Sequence, residues 1–122
     1  MLVYLSTAYS QIDDKNRLMR DLMAVVARLT ELHRKEKWHI VTPLFNHFIL
    51  GHMTTMRSDY DFWKEYSREL LERCQLIVVV EFPGMDLLKS VGVQDEIRSA
   101  FLLKRPVIYI KPEDLYERCI AN

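Results

Sequence analysis

Between Leu76 and Ile110 the sequence confines itself to one supersecondary unit. Leu76-Ile-Val-Val-Val80 and Val107-Ile-Tyr-Ile110 are apolar runs too short for helices, and the segment between them, Ser90 to Ala100, carries a helical period. Strand, helix, strand with a connection of this length predicts a parallel crossover. On the helix, Val93, Ile97 and Ala100 define one face by their spacing of four and three. Glu96 falls on the margin of that face, and Asp95 is expected to point the other way.

Glu96 therefore needs a reason. A carboxylate beside an apolar seam loses hydration and has to be paired, protonated or used. In open parallel sheets ligands bind outside the carboxyl ends of the strands. Glu96 sits early in the helix that follows such an end, so it is the leading candidate for chemistry.

The rest of the chain extends the same alternation. Leu2 to Leu5 is a short strand, followed by a hydroxyl-rich turn, Ser6-Thr-Ala-Tyr9-Ser10, which either offers hydroxyls and amides to an oxyanion or caps the next helix. Leu18, Leu22, Val25, Val26, Leu29 and Leu32 recur at helical spacing between about residues 14 and 34, with charges on the remaining positions. Trp38 to Val41 is a second strand, ended by Thr42-Pro43. Residues 44 to 57 are expected to form a polar flap over the pocket, with Asn46 and His47 as candidate contacts to a base or sugar. His47 and His52 are five apart, a spacing that suits neither one helical face nor a zinc pair, so no metal is expected. Asp59 or Asp61 caps a further helix whose stripe reads Phe62, Tyr66, Leu70, Cys74, bordered by Trp63; that aromatic set serves as core or as a stacking platform. Pro83-Gly84-Met85-Asp86 turns after the third strand, and Leu115, Tyr116, Cys119 and Ile120 suggest a last helix.

Four β-runs alternating with helices imply a single α/β domain over residues 1–122, with a parallel sheet covered on both sides. Seventeen basic residues balance seventeen acidic ones, which argues against a nucleic acid polymer and for a small ligand. Cys74 and Cys119 are far apart and suggest neither a disulfide framework nor a metal site. The apolar runs are short of a membrane span, and Met1 leads directly into a strand, so a cytoplasmic protein is expected.

One ordered combination of motifs carries a resemblance. Ser90-Val-Gly92-Val-Gln-Asp-Glu96-Ile97 to Ala100, then Lys104-Arg-Pro-Val107, is similar to the helix-and-strand signature of the nucleoside 2-deoxyribosyltransferase-like superfamily. Val3-Tyr-Leu-Ser-Thr-Ala-Tyr-Ser10 resembles the first strand and loop of that family. Asp59-Tyr-Asp61-Phe-Trp63 with Pro83-Gly84 resembles a small bacterial and phage branch catalogued as a domain of unknown function (DUF1937-like).

The resemblance implies a flavodoxin/Rossmann-like three-layer sandwich with four to five parallel strands, a homodimer or higher homo-oligomer, and no cofactor. It implies as substrate a nucleoside or nucleotide, cleaved at its base–sugar bond through a glycosyl ester on Glu96. Tyr9 and Ser10, with Ser6, would hold the sugar or 5′-phosphate; Phe45 and Trp63 would line the base site; Asp59, Asp61 or Asp86 would supply the acid or a sugar-hydroxyl contact; Ser90 and Gly92 are further substrate-binding candidates. Many members carry an aspartate where this chain has Ser67. Hydrolase and transferase outcomes both remain open, as do a nucleotide-binding sensor without turnover and a structural oligomer in which Arg98 or Arg105 of a partner pairs with Glu96.

Overall fold

The computed structural model describes residues 1–53 and 60–115. Its sheet is built from β1 (Leu2–Thr7), β2 (His39–Val41), β3 (Leu76–Val80) and β4 (Val107–Ile110), all parallel, in the spatial order β2-β1-β3-β4. Helices α1 (Lys15–Leu32), α2 (Pro43–Met53), α3 (Tyr60–Glu72) and α4 (Val91–Leu102) connect them, with 3-10 turns at Tyr9–Gln11 and Leu87–Lys89. This is a three-layer α/β fold. The order reverses direction between β1 and β3, so their carboxyl ends flank a topological switch point, where open sheets leave a crevice.

Register assigns the two faces. Leu5, Val78 and Ile108 are aligned neighbours, and Val78 and Ile108 border the same recess as Leu29 of α1, so α1 covers that face. Tyr4 and Ser6 alternate with Leu5 and point the other way, toward α4. Asp14 caps α1 by accepting a hydrogen bond from the Arg17 amide at 3.1 Å. The helix then buries Leu18, Met19, Leu22, Val25 and Leu29 as one stripe. Each such side chain contributes roughly 1.5–3 kcal/mol of transfer free energy.

Three expectations need correction. Ser6 and Thr7 belong to β1 and not to a loop, because β1 pairs with β3 through Thr7↔Val80 and both residues are buried. Residues 43 to 53 form a helix instead of a flap: Pro43 starts it, where a missing amide hydrogen is harmless, the Thr42 hydroxyl accepts from the Leu44 amide at 3.3 Å, and Leu44, Phe45 and Phe48 pack on the core. The stripe of α3 is displaced by one residue. Trp63 and Leu71 are buried, whereas Phe62 is 41% exposed; Cys74, just past the helix, is buried as its place in the stripe implies.

Cys74 is buried, and burial pushes its thiol up to about 11. Asp59, Cys119, Tyr116, Ile120 and the His52 side chain lie outside the described residues. No helix among the described residues is long and apolar enough to cross a membrane.

Candidate active site

The switch point opens into a cavity of about 300 Å³, bounded below by Thr7 at the end of β1 and on its sides by α2, α3 and α4. Two loops form its rim. They are tied together by one side chain: the Gln11 amide group donates to the Asp86 carbonyl at 2.7 Å and accepts from the Asp86 amide at 2.8 Å. On the α4 side Ser90 caps the helix, its hydroxyl accepting from the Val93 amide at 3.2 Å, and the first turn presents Gly92 and then Glu96 to the cavity.

Glu96 is half-buried as a residue, but its Oε2 is shut off from solvent. Burial raises its carboxyl to about 7; the Ser6 and Tyr4 hydroxyls pull it back down, and Asp95 pushes it up. Tyr4 is raised well above the ordinary phenol range, first by burial and then by the Glu96 charge. Tyr4 Oη, Ser6 Oγ, Glu96 Oε2 and Trp63 Nε1 are all buried, and none completes a hydrogen bond of good geometry. Tyr4 and Ser6 nonetheless lie close enough to the carboxyl to act on its ionisation. Unsatisfied buried groups cost about 1–3 kcal/mol apiece, so a cluster of them around one carboxyl marks a place where stability has been given up.

The opposite wall is aromatic. His47 on α2 lies between 4.6 and 4.7 Å from the ring centres of Trp63 and Tyr9, tilted by 38° and 37°, and all three line the cavity. Trp63 also meets Tyr66 edge-on at 5.4 Å, and the Lys15 ammonium sits 4.4 Å above the Tyr9 ring. Burial raises the Tyr9 phenol and lowers the Lys15 ammonium. Lys64 and Arg68, one turn apart on α3, and Lys89 bring positive charge to the mouth.

Of the residues singled out in the sequence, Glu96, Tyr9, Ser10, His47, Trp63, Ser67, Ser90 and Gly92 meet at this cavity. Ser6 sits beneath it, beside Glu96. Others are elsewhere. Phe45 packs against the core, and the exposed Asn46 donates through Nδ2 to the Tyr66 hydroxyl. Asp61 lies exposed in the first turn of α3. Asp86 accepts from the Leu88 amide at 3.2 Å as the cap of a 3-10 turn and lies 3.9 Å from Lys89. Asp95 departs from expectation in the other direction: it lines the cavity and pairs with Arg98 at 3.3 Å. Helix positions three and four apart share a face, so Gly92, Asp95, Glu96 and Ser99 all turn to the same side. Arg105 is engaged within its own chain, donating to the Cys74 carbonyl at 2.9 Å and the Leu103 carbonyl at 3.1 Å.

Tyr4 escaped the sequence reading. Its signal was its position two residues before Ser6, which puts both hydroxyls on the face that α4 covers.

Comparison with solved structures finds the same architecture in a 2-deoxyribosyltransferase from the psychrotolerant bacterium Bacillus psychrosaccharolyticus. The TM-score is 0.57 and the identity 13%, over 92% of this chain and 73% of the other. At that identity the likeness is one of fold. A search of curated proteins gives no match. The model of the family described as "Domain of unknown function (DUF1937)" matches residues 1–111. With a deoxyribosyltransferase-like fold and that match over nearly its whole length, the chain belongs to the DUF1937 family.

Proposed function

We propose that the protein is an N-glycosidase acting on a nucleoside or nucleotide, with Glu96 as the nucleophile. The observation that carries this reading is the Glu96 carboxyl itself: buried at the switch point, facing a cavity of substrate size, and flanked by the Tyr4 and Ser6 hydroxyls. A carboxyl held near 7 by burial is in part ionised at neutral pH and, when ionised, poorly solvated. That combination suits attack on an anomeric carbon.

As the bond between C1′ and the base nitrogen breaks, its electron pair leaves with the base, and a Glu96 carboxylate oxygen forms an ester to C1′. Water resolves the ester in a hydrolase, and a second base does so in a transferase. The Tyr4 and Ser6 hydroxyls steady the carboxylate from beneath. Tyr9, His47 and Trp63 offer ring faces to the base, and Ser10, Ser90 and Gly92 border the space for the sugar. The fold's likeness to a deoxyribosyltransferase supports a nucleoside-like substrate. A second copy of the chain is also proposed: Leu88, Val91, Phe101 and Leu102 are between 65% and 83% exposed along α4 and the turn before it.

The test is chromatography of protein incubated with ribo- and deoxyribonucleosides and their 5′-monophosphates, beside the Glu96→Ala protein. Free base released by the native chain alone supports the reading. A second reading rests on Ser67: α3 presents a hydroxyl where many superfamily members carry an aspartate, which fits a binding module without turnover. Ligand-dependent stabilisation with no product from any substrate would favour it.

A further inference from the structure

Departure of an unactivated base requires a proton as well as a nucleophile, and no carboxylate among the described residues other than Glu96 stands free at the cavity to supply it. Among the described residues Asp61 is exposed and off the cavity, Asp86 caps a turn, and Asp95 is paired with Arg98. Ser67 carries no titrating proton. Tyr9 is a weaker acid than usual because of burial, and Lys64, Arg68 and Lys89 bring charge to the cavity without being of the side-chain type that serves best as a general acid at neutrality. Among the described residues that line the cavity, one group remains. His47 shares the cavity with Glu96, its ring set against Tyr9 and Trp63, and imidazole is the side chain type suited to proton transfer near neutrality.

We infer that His47 is the acid that protonates the departing base. The inference rests on the glycosidase reading above. In the first half-reaction the His47 imidazolium gives its proton to a basic ring position of the base, N7 of a purine or O2 of a pyrimidine, as the C1′–N electron pair moves into the ring and Glu96 forms the ester. In the second, neutral His47 takes a proton from the attacking water as the new C1′–O bond forms and the Glu96–C1′ bond breaks, which restores both groups. The sum is nucleoside and water to base and sugar. Among the described residues, the charged and titratable groups that share the cavity with His47 are Tyr9 with Lys15 above it, Lys64 and Arg68 on α3, Lys89, and Asp95 and Glu96 on α4.

A base that needs no proton discriminates this role from a packing one. The native, His47→Gln and Glu96→Ala proteins are assayed on 2′-deoxyguanosine against its N7-methyl derivative, whose base is already cationic. They are also assayed on 2′-deoxyuridine against 5-fluoro-2′-deoxyuridine, each as nucleoside and 5′-monophosphate. His47→Gln is expected to slow cleavage of the unactivated member by roughly 10²- to 10⁴-fold and of the activated member by under about tenfold, with Glu96→Ala inactive on both. An equal loss on both members, or no loss, overturns the role of His47 and leaves the glycosidase reading standing. Absence of product from the native protein on every substrate overturns both. Should His47→Gln fail to fold by circular dichroism, the native pH profiles decide: activity on the unactivated member must fall at a lower pH on the alkaline side than activity on its partner, and coincident profiles overturn the assignment.

Discussion

The two faces of the sheet are cut from the same strand and buried to the same depth, yet they are built for different ends. On β1, Val3 and Leu5 face α1 and Tyr4 and Ser6 face α4, and none of the four is more than 2% exposed. The α1 face closes with Leu18, Leu22, Val25 and Leu29, without a polar side chain among them. The α4 face encloses two hydroxyls and a carboxyl whose hydrogen-bonding capacity is unmet. Equal burial thus hides unequal stability: one face holds the domain together, and the other gives up part of that gain to hold polar groups away from water.

The comparison breaks first at Glu96. Glu96→Gln should lower turnover by several orders of magnitude, each tenfold being about 1.4 kcal/mol of barrier, while leaving the fold intact. Its effect on stability should depend on pH. The folded carboxyl titrates near 7 against an ordinary 4.5, so the folded protein holds more protons than the unfolded chain within that window. Stability from this group is therefore full below about pH 4.5 and is lost as pH rises through 7. Removing the charge should recover up to the order of 3 kcal/mol above pH 7 and little at pH 4.5, read as a melting temperature that rises at pH 8 but not in acid. A variant destabilised equally at both pH values would show that the carboxyl is not held under strain.

Leu22→Ala tests the other face. A fully buried leucine facing a packed sheet should cost about 2–5 kcal/mol in denaturant titration, while the activity per folded molecule stays unchanged. Loss of turnover out of proportion to unfolding would mean that the two faces are not separate in role.

Much of this division was legible in the sequence. The parallel crossover from Leu76 to Ile110 and the α1 stripe follow from periodicity, because apolar burial repeats at the period of the element that achieves it. Glu96 stood out for the same reason, as a charge on the margin of an apolar helix face. Other features were hidden by degeneracy. Residues 44 to 53 mix apolar and polar side chains without a clean period, so a helix started by Pro43 read as a flap. Phe62 and Trp63 are adjacent aromatics, and only tertiary packing decided which one turned inward. Asp95 at the cavity depended on the rotation of α4, a few tens of degrees that spacing alone does not set. The hydroxyl of Tyr4 was masked by the apolar strand around it.

Tyr4→Phe sharpens the contrast within the α4 face. The phenol hydroxyl completes no hydrogen bond of good geometry, so its removal should not destabilise the fold and should recover part of the about 1–3 kcal/mol that such a buried group costs. Turnover should fall, and the acid limb of the pH–rate profile should move upward, since that hydroxyl lowers the carboxyl's pKa. An unmoved limb would detach Tyr4 from the nucleophile. The smallest effect expected is at Phe101, 80% exposed: Phe101→Glu should leave the melting behaviour within about 0.5 kcal/mol and lower the mass seen by light scattering if a second copy covers α4. An unchanged mass would remove that interface.

The Gln11 bridge to Asp86 gives the cavity a mechanical property. Its paired hydrogen bonds reproduce one rung of a β-ladder with a side chain in place of a strand, joining loops that the sheet itself leaves apart. The gape of the mouth is thereby gauged by the length of one carboxamide. An insertion on either loop would be felt on both.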